Sequence, residues 1–214
     1  MAKKPAAPGQ SRPLPPESFT DLLSARYAPA PEVLKWARAE ILTEGGQLHN
    51  PDHAHLEYAD VQFLWAPGGF NKQGRTVIGQ CEEMLFRCGP WQKGRQQQQM
   101  ADWFGMVPDY LITLDASYCL TCSDAEFCAL VEHELYHIGQ EQDDFGSPAF
   151  TKDGMPKLFI RGHDVEEFVG VVRRYGVGHP EGTLAQLVAA ANAAPEVAKI
   201  NIARACGTCL LKAA

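Results

Sequence analysis

Residues 123–139 read SDAEFCALVEHELYHIG, and this stretch decides how the rest of the chain is understood. It carries His133, Glu134 and His137 as H-E-x-x-H. On a helix, side chains four apart share a face, so the two imidazoles can hold one metal ion together. Glu134 sits one step round, where its carboxylate can reach a water bound to that ion. Three local signals predict the helix. Ser123 and Glu126 form an S-x-x-E capping box at its start. Gly139 stands where helices commonly end in a left-handed residue. Phe127, Leu130, Val131, Leu135 and Ile138 supply an apolar side for burial. The plain alternative is two surface histidines on an ordinary helix, and the apolar flanks argue against it.

The 214 residues suffice for one sizeable core, or one core with an appendage. The formal net charge of -7 argues against nucleic acid or an anionic membrane as a partner. No stretch is long and apolar enough to span a bilayer. MAKKPAAPGQ at residues 1–10 lacks the apolar centre of a secretory signal, so a cytoplasmic location is expected. Seven cysteines, an odd number, do not suit a closed disulfide framework.

Working outward along the chain, residues 1–18 are rich in Pro, Ala and Gly and read as a disordered tail. Residues 31–45 read as an amphipathic helix opened by Pro31, with Val33, Leu34, Ala37, Ile41 and Leu42 as its stripe. His49, His53 and His55 lie close together in a Pro/Asn-containing loop, at a spacing that fits no common metal site. Residues 61–65 read as a strand ended by Pro67 and two glycines. Residues 76–88 are a second extended candidate. Residues 91–100, WQKGRQQQQM, read as an exposed loop whose Lys93 and Arg95 could meet phosphates. Residues 109–118 alternate as a strand and could be the edge against which a peptide lies extended. Past Gly139 the chain reads as loop, with a short apolar piece at 158–160. A helix is then expected from His163 to about Tyr175, and an Ala-rich one over 181–193.

A zinc hydrolase needs three protein ligands and one open position. With His133 and His137 as two, the third should come from the segment after residue 160. His163 follows a glycine that permits close approach. Glu167 falls on the same side of the expected helix, and Asp164 is a further candidate or a partner that orients an imidazole. Acidic residues at a helix start also have an ordinary explanation in the helix dipole.

His133-Glu134-Leu135-Tyr136-His137, followed by Gly162-His163-Asp164-Val165-Glu166-Glu167-Phe168, resembles the SprT and Spartan metallopeptidases. In that group a G-H-G-x-x-F segment supplies the third zinc ligand, which puts His163 in that role. Asp164 departs from the second glycine. With Val171-Val172-Arg173-Arg174-Tyr175-Gly176 added, the pattern is more similar to the putative phage metallopeptidase family, found in phage and prophage genes. The resemblance implies an α+β fold with a small zincin-like metallopeptidase core over residues 19–176. That core has one helix, a short antiparallel sheet, the H-E-x-x-H helix and a third-ligand helix. A C-terminal helical extension over 177–214 would end in C-x-x-C. The function implied is a zinc-dependent peptidase with metal ligands His133, His137 and His163. Glu134 assists attack of a metal-bound water on a protein or peptide substrate, in the cytoplasm of a bacterial host. The alternatives are a catalytically weak zincin-fold binding module and a DNA-associated protease of the Spartan kind, which the acidic balance disfavours.

Two further motifs stand apart. Cys119-Leu-Thr-Cys122 and Cys206-Gly-Thr-Cys209 could form a second, structural zinc site with four thiolates. Their long separation is outside the usual zinc-ribbon spacing. A redox pair, or small buried apolar residues, are the other readings.

Overall fold

The computed structural model describes residues 11–21, 25–72, 75–165, 172, 176–198 and 200. In chain order the strands are β1 (Ala28–Pro29), β2 (Val61–Ala66), β3 (Phe70–Lys72), β4 (Arg75–Val77), β5 (Gly79–Glu83), β6 (Tyr110–Asp115), β7 (Ile138–Gln140) and β8 (Leu158–Ile160). The α-helices are α1 (Pro31–Ala37), α2 (Pro90–Phe104), α3 (Ala116–Thr121), α4 (Asp124–Tyr136) and α5 (Thr183–Asn192).

The centre is a four-stranded sheet in the order β1-β2-β6-β5. Strand alternation divides its side chains between two faces. Phe63 and Trp65 of β2, Cys81 of β5, and Ile112 and Leu114 of β6 share one core with α1 and α4. Leu64 and Leu111, one step along their strands, belong to a second cluster with Met100 of α2. Phe127, Leu130, Val131 and Leu135 of α4 are at most 1% exposed. Each such side chain is worth roughly 1.5–3 kcal/mol when buried, so this face alone docks α4 with a gross gain on the order of 10 kcal/mol. The edge of Trp36 on α1 meets Phe127 at 5.3 Å.

The mixed α+β class agrees with the sequence reading, but several details differ. The sheet is not simply antiparallel: β2 and β6 run parallel, and β1 and β5 pair antiparallel to them. β6, expected as a possible edge for a peptide, is interior, flanked by β2 and β5. Residues 116–121 leave the strand as α3, capped by the Asp115 carboxylate, which accepts from the Tyr118 N–H. The expected loop at 91–100 is α2. Pro90 supplies its first turn, Gly105 its left-handed end, and Met100 its buried contact. Glutamines are good helix formers, and their polarity was misleading.

The first helix also changes character. It is α-helical only to Ala37, and residues Arg38–Leu42 continue as a π-turn. Part of the stretch expected as a disordered tail is built into the fold. Residues Glu17–Thr20 form a 3-10 turn with Phe19 buried. Arg12 donates to the Asp124 carboxylate (2.7 Å) and to the carbonyls of Cys119 (2.7 Å) and Cys122 (2.6 Å). Residues 1–10 lie outside the described set. So does most of the helix expected from 163 to 175, with Glu167, and so do Cys206 and Cys209.

Candidate metal centre

α4 begins as its sequence dictates. The Ser123 hydroxyl accepts from the Glu126 N–H, and the Glu126 carboxylate accepts in return from the Ser123 N–H at 2.8 Å. The helix ends at His137, whose backbone is still right-handed, and the chain passes directly into β7. Gly139 is therefore a strand residue and not a left-handed stop. Its small size serves packing, because a Cβ there would lie 2.9 Å from Phe159 Cε1 on β8.

The β7–β8 pairing brings the third histidine in. Ile138 pairs with Ile160, and Arg161 just beyond clasps His137 twice. The Arg161 N–H donates to the His137 carbonyl, and the Arg161 carbonyl accepts from His137 Nδ1–H, both at 2.8 Å. A carbonyl can only accept, so this contact fixes the tautomer and leaves His137 Nε2 with its lone pair. Two residues on, His163 Nε2 lies 3.3 Å from His133 Nε2, and His137 Nε2 is also 3.3 Å from it. Ligand nitrogens around a tetrahedral ion with bonds of about 2.0–2.1 Å stand about 3.3 Å apart, so the donor set fits such an ion. Among the described residues this trio is the group of His, Cys, Asp and Glu able to hold a metal. Burial, followed by the neighbouring His137 and His163, lowers the His133 pKa to about 4, which keeps the ring neutral and able to donate a lone pair.

Glu134, between the two helix histidines in sequence, is fully buried. β5 makes room for it: a Cβ on Gly79 would sit 2.6 Å from Glu134 Oε1 and 2.8 Å from Leu130 Cδ1. Sequence reading missed this role, although a glycine inside a strand is a known sign of close approach. The imidazoles open on a cavity of about 680 Å³ that also meets Asp52, Tyr136, Arg161, Asp164 and Leu187. Tyr136 is held at its wall, donating to Asp52 Oδ2 (2.9 Å) and accepting from Asn50 Nδ2 (2.8 Å). Asn50 and Pro51 cap and open a 3-10 turn, a signal that was present in the sequence.

The other candidates fall elsewhere. Asp164 pairs with the Arg161 guanidinium and is not in the trio. Glu167 is outside the described residues. Among the described residues, His49, His53 and His55 form no metal group. His55 Nε2–H donates to the Ile138 carbonyl at 2.7 Å, and His53 is buried against the Tyr136 ring.

A mixed α+β domain with three converging imidazoles able to hold one metal ion is the class these features define. A family model described as putative phage metallopeptidase matches residues 34–192, and the chain belongs to that family. No curated protein and no solved structure matches it. No helix among the described residues is long and apolar enough to cross a membrane.

Proposed function

We propose that the chain is a zinc-dependent peptidase, with His133, His137 and His163 as metal ligands and Glu134 as the general base. The observation that carries this reading is His133 Nε2 standing 3.3 Å from Nε2 of both His137 and His163, with a buried carboxylate at the residue after His133. Three imidazoles suit zinc, and the ion would supply Lewis acidity for hydrolysis of an amide.

The protein's own groups divide the remaining work. The Arg161 carbonyl holds His137 in the tautomer that donates through Nε2. Burial keeps His133 uncharged near neutral pH. Glu134, packed between α4 and Gly79, takes the proton from the attacking water and passes it to the leaving amine. The Tyr136 hydroxyl, held by Asp52 and Asn50, gives the cavity a fixed polar wall. The substrate is a protein or peptide, in keeping with the family. The phage family fits a protein encoded by a phage or prophage and acting in the cytoplasm of a bacterial host.

Glu134→Gln tests the reading. Bound zinc should stay at the wild-type level, while cleavage of a peptide library falls by at least about 10²-fold, the scale of general-base removal. Wild-type cleavage in that variant refutes the role of Glu134. Absence of cleavage in the zinc-loaded native protein would favour a binding module.

A further inference from the structure

The wall of the metal cavity is uneven in charge. Besides the three imidazoles, the charged side chains that meet it are Asp52, Arg161 and Asp164. Arg161 and Asp164 pair with each other, so their charges cancel locally. Asp52 has no such partner: among the described residues no Lys, Arg or His nitrogen forms an ion pair with it. One negative charge is left uncompensated at the cavity.

That carboxylate is held in place from the metal helix. The Asp52 N–H donates to Asn50 Oδ1 (3.0 Å) at the opening of the 3-10 turn, where Pro51 restricts the backbone. Asp52 Oδ2 accepts from the Tyr136 hydroxyl (2.9 Å). Asn50 Nδ2 donates to the same hydroxyl (2.8 Å) and to Glu132 Oε1 (2.7 Å). Two side chains of α4 thus anchor the turn that carries Asp52. His53 follows it in the chain, but burial above all lowers the His53 pKa to about 4, so this ring stays neutral near pH 7 and does not offset the charge. Asp52 itself is exposed, and Tyr136 engages only Oδ2, which leaves Oδ1 for a ligand.

The cavity also has an apolar wall. Leu187 of α5, 52% exposed, and the half-buried Val165 line it. A long basic side chain suits both features, because its methylenes lie on apolar surface while its head stays charged. A carboxylate in the same place would meet Asp52 as a like charge.

We infer that the metal cavity selects a substrate with a lysine or arginine near the scissile bond, its stem against Leu187 and Val165 and its head on Asp52. The inference rests on the peptidase reading and adds to it the substrate class and the residue that selects it. With zinc bound, the Glu134 carboxylate offsets part of the ion's charge, and Asp52 remains the anion open to a ligand.

The test measures binding, so it stands apart from turnover. Zinc-loaded Glu134→Gln protein is titrated calorimetrically with an acetylated, amidated alanine pentapeptide that carries lysine at its centre, and with its arginine and norleucine counterparts. The lysine and arginine peptides should bind about 5-fold more tightly than the norleucine peptide, the upper scale of an exposed ion pair. Adding Asp52→Asn, which keeps an oxygen for the Tyr136 hydroxyl, should abolish that preference and leave norleucine binding unchanged. Raising salt from about 0.05 M to about 0.5 M should shrink the preference with Asp52 intact. Equal binding of basic and norleucine peptides overturns the inference, as does a preference that survives Asp52→Asn, or no binding of any of the three. Tighter binding of a norleucine peptide with a free amino terminus than of the acetylated basic peptides also overturns it, since the carboxylate would then serve an α-ammonium. Native zinc-loaded protein that cleaves none of these peptides, while the preference still depends on Asp52, supports the subsite and counts against the peptidase reading.

Discussion

Gly79→Ala probes how closely β5 and the metal helix share space. Gly79 does not have the left-handed backbone that would itself penalise alanine, so the perturbation is steric. The added carbon would lie 2.6 Å from Glu134 Oε1, where ordinary contact begins at 3.4 Å, so one of the two must retreat by about 0.8 Å. Leu130 Cδ1 at 2.8 Å blocks the nearby escape, and Leu130 is itself fully buried. Overpacking of this kind costs about 1–3 kcal/mol, or a Tm lowered by roughly 3–10 °C in a chain of this size. For the general base proposed at Glu134, a displacement of nearly 1 Å costs about 10²-fold in rate. The assay pairs kcat on a cleaved peptide with zinc content and thermal unfolding. The expected outcome is zinc retained at the histidines, kcat down on the order of 10²-fold, KM little changed and Tm lowered. Wild-type kcat together with wild-type Tm would refute the idea that Gly79 makes the space in which Glu134 works.

Two other perturbations test the surroundings of the site. Gly139→Ala presses a Cβ to 2.9 Å from Phe159, which should lift β8 and draw the Arg161 carbonyl away from His137 Nδ1. Zinc affinity measured by chelator competition should weaken by about 10-fold or more, the scale on which such outer partners act, and unchanged affinity would contradict the clasp. His53 is fully buried, neither ring nitrogen has a hydrogen-bond partner among the described residues, and its pKa is lowered to about 4. Burial is the main cause, with His55 and Arg161 adding and Asp52 opposing, while the Glu132 carboxylate stands 3.9 Å away. Because the unfolded chain takes up this proton first, near pH 6.5, His53 favours folding above that pH. That contribution is lost as pH falls toward about 4, up to roughly 3 kcal/mol. Urea unfolding at pH 7 and pH 5 should show a smaller loss of stability in His53→Leu than in the wild type, and an equal loss would exclude His53 as the source.

The metal helix was legible because its information is local. The capping box, the apolar side and the two histidines all lie within one stretch, and each appears as read. His163 was the first candidate for the third ligand from its place behind Gly162, ahead of Glu167 and Asp164, and the structure brings it to the other two imidazoles. What the sequence did not reveal depends on distant contacts. The parallel pairing of β2 with β6 joins segments separated by three strands and a helix, and no local pattern encodes it. The Arg161 carbonyl is a backbone group and leaves no trace in residue type. Arg12 looked like tail because its partners at Cys119, Cys122 and Asp124 lie more than a hundred residues away. Gly139 was read as a helix stop on position alone, whereas the contact with Phe159 explains the missing side chain. α2 was lost to composition, since its glutamines resemble a loop until Met100 and Trp103 are seen against the sheet.

Diffraction from zinc-loaded crystals, measured on either side of the zinc absorption edge, is the most direct check on three imidazoles sharing one ion. An anomalous peak should lie about 2.0–2.1 Å from Nε2 of His133, His137 and His163 together. A zinc-loaded crystal with no peak there, or with one of the three rings turned away from it, would contradict the assignment.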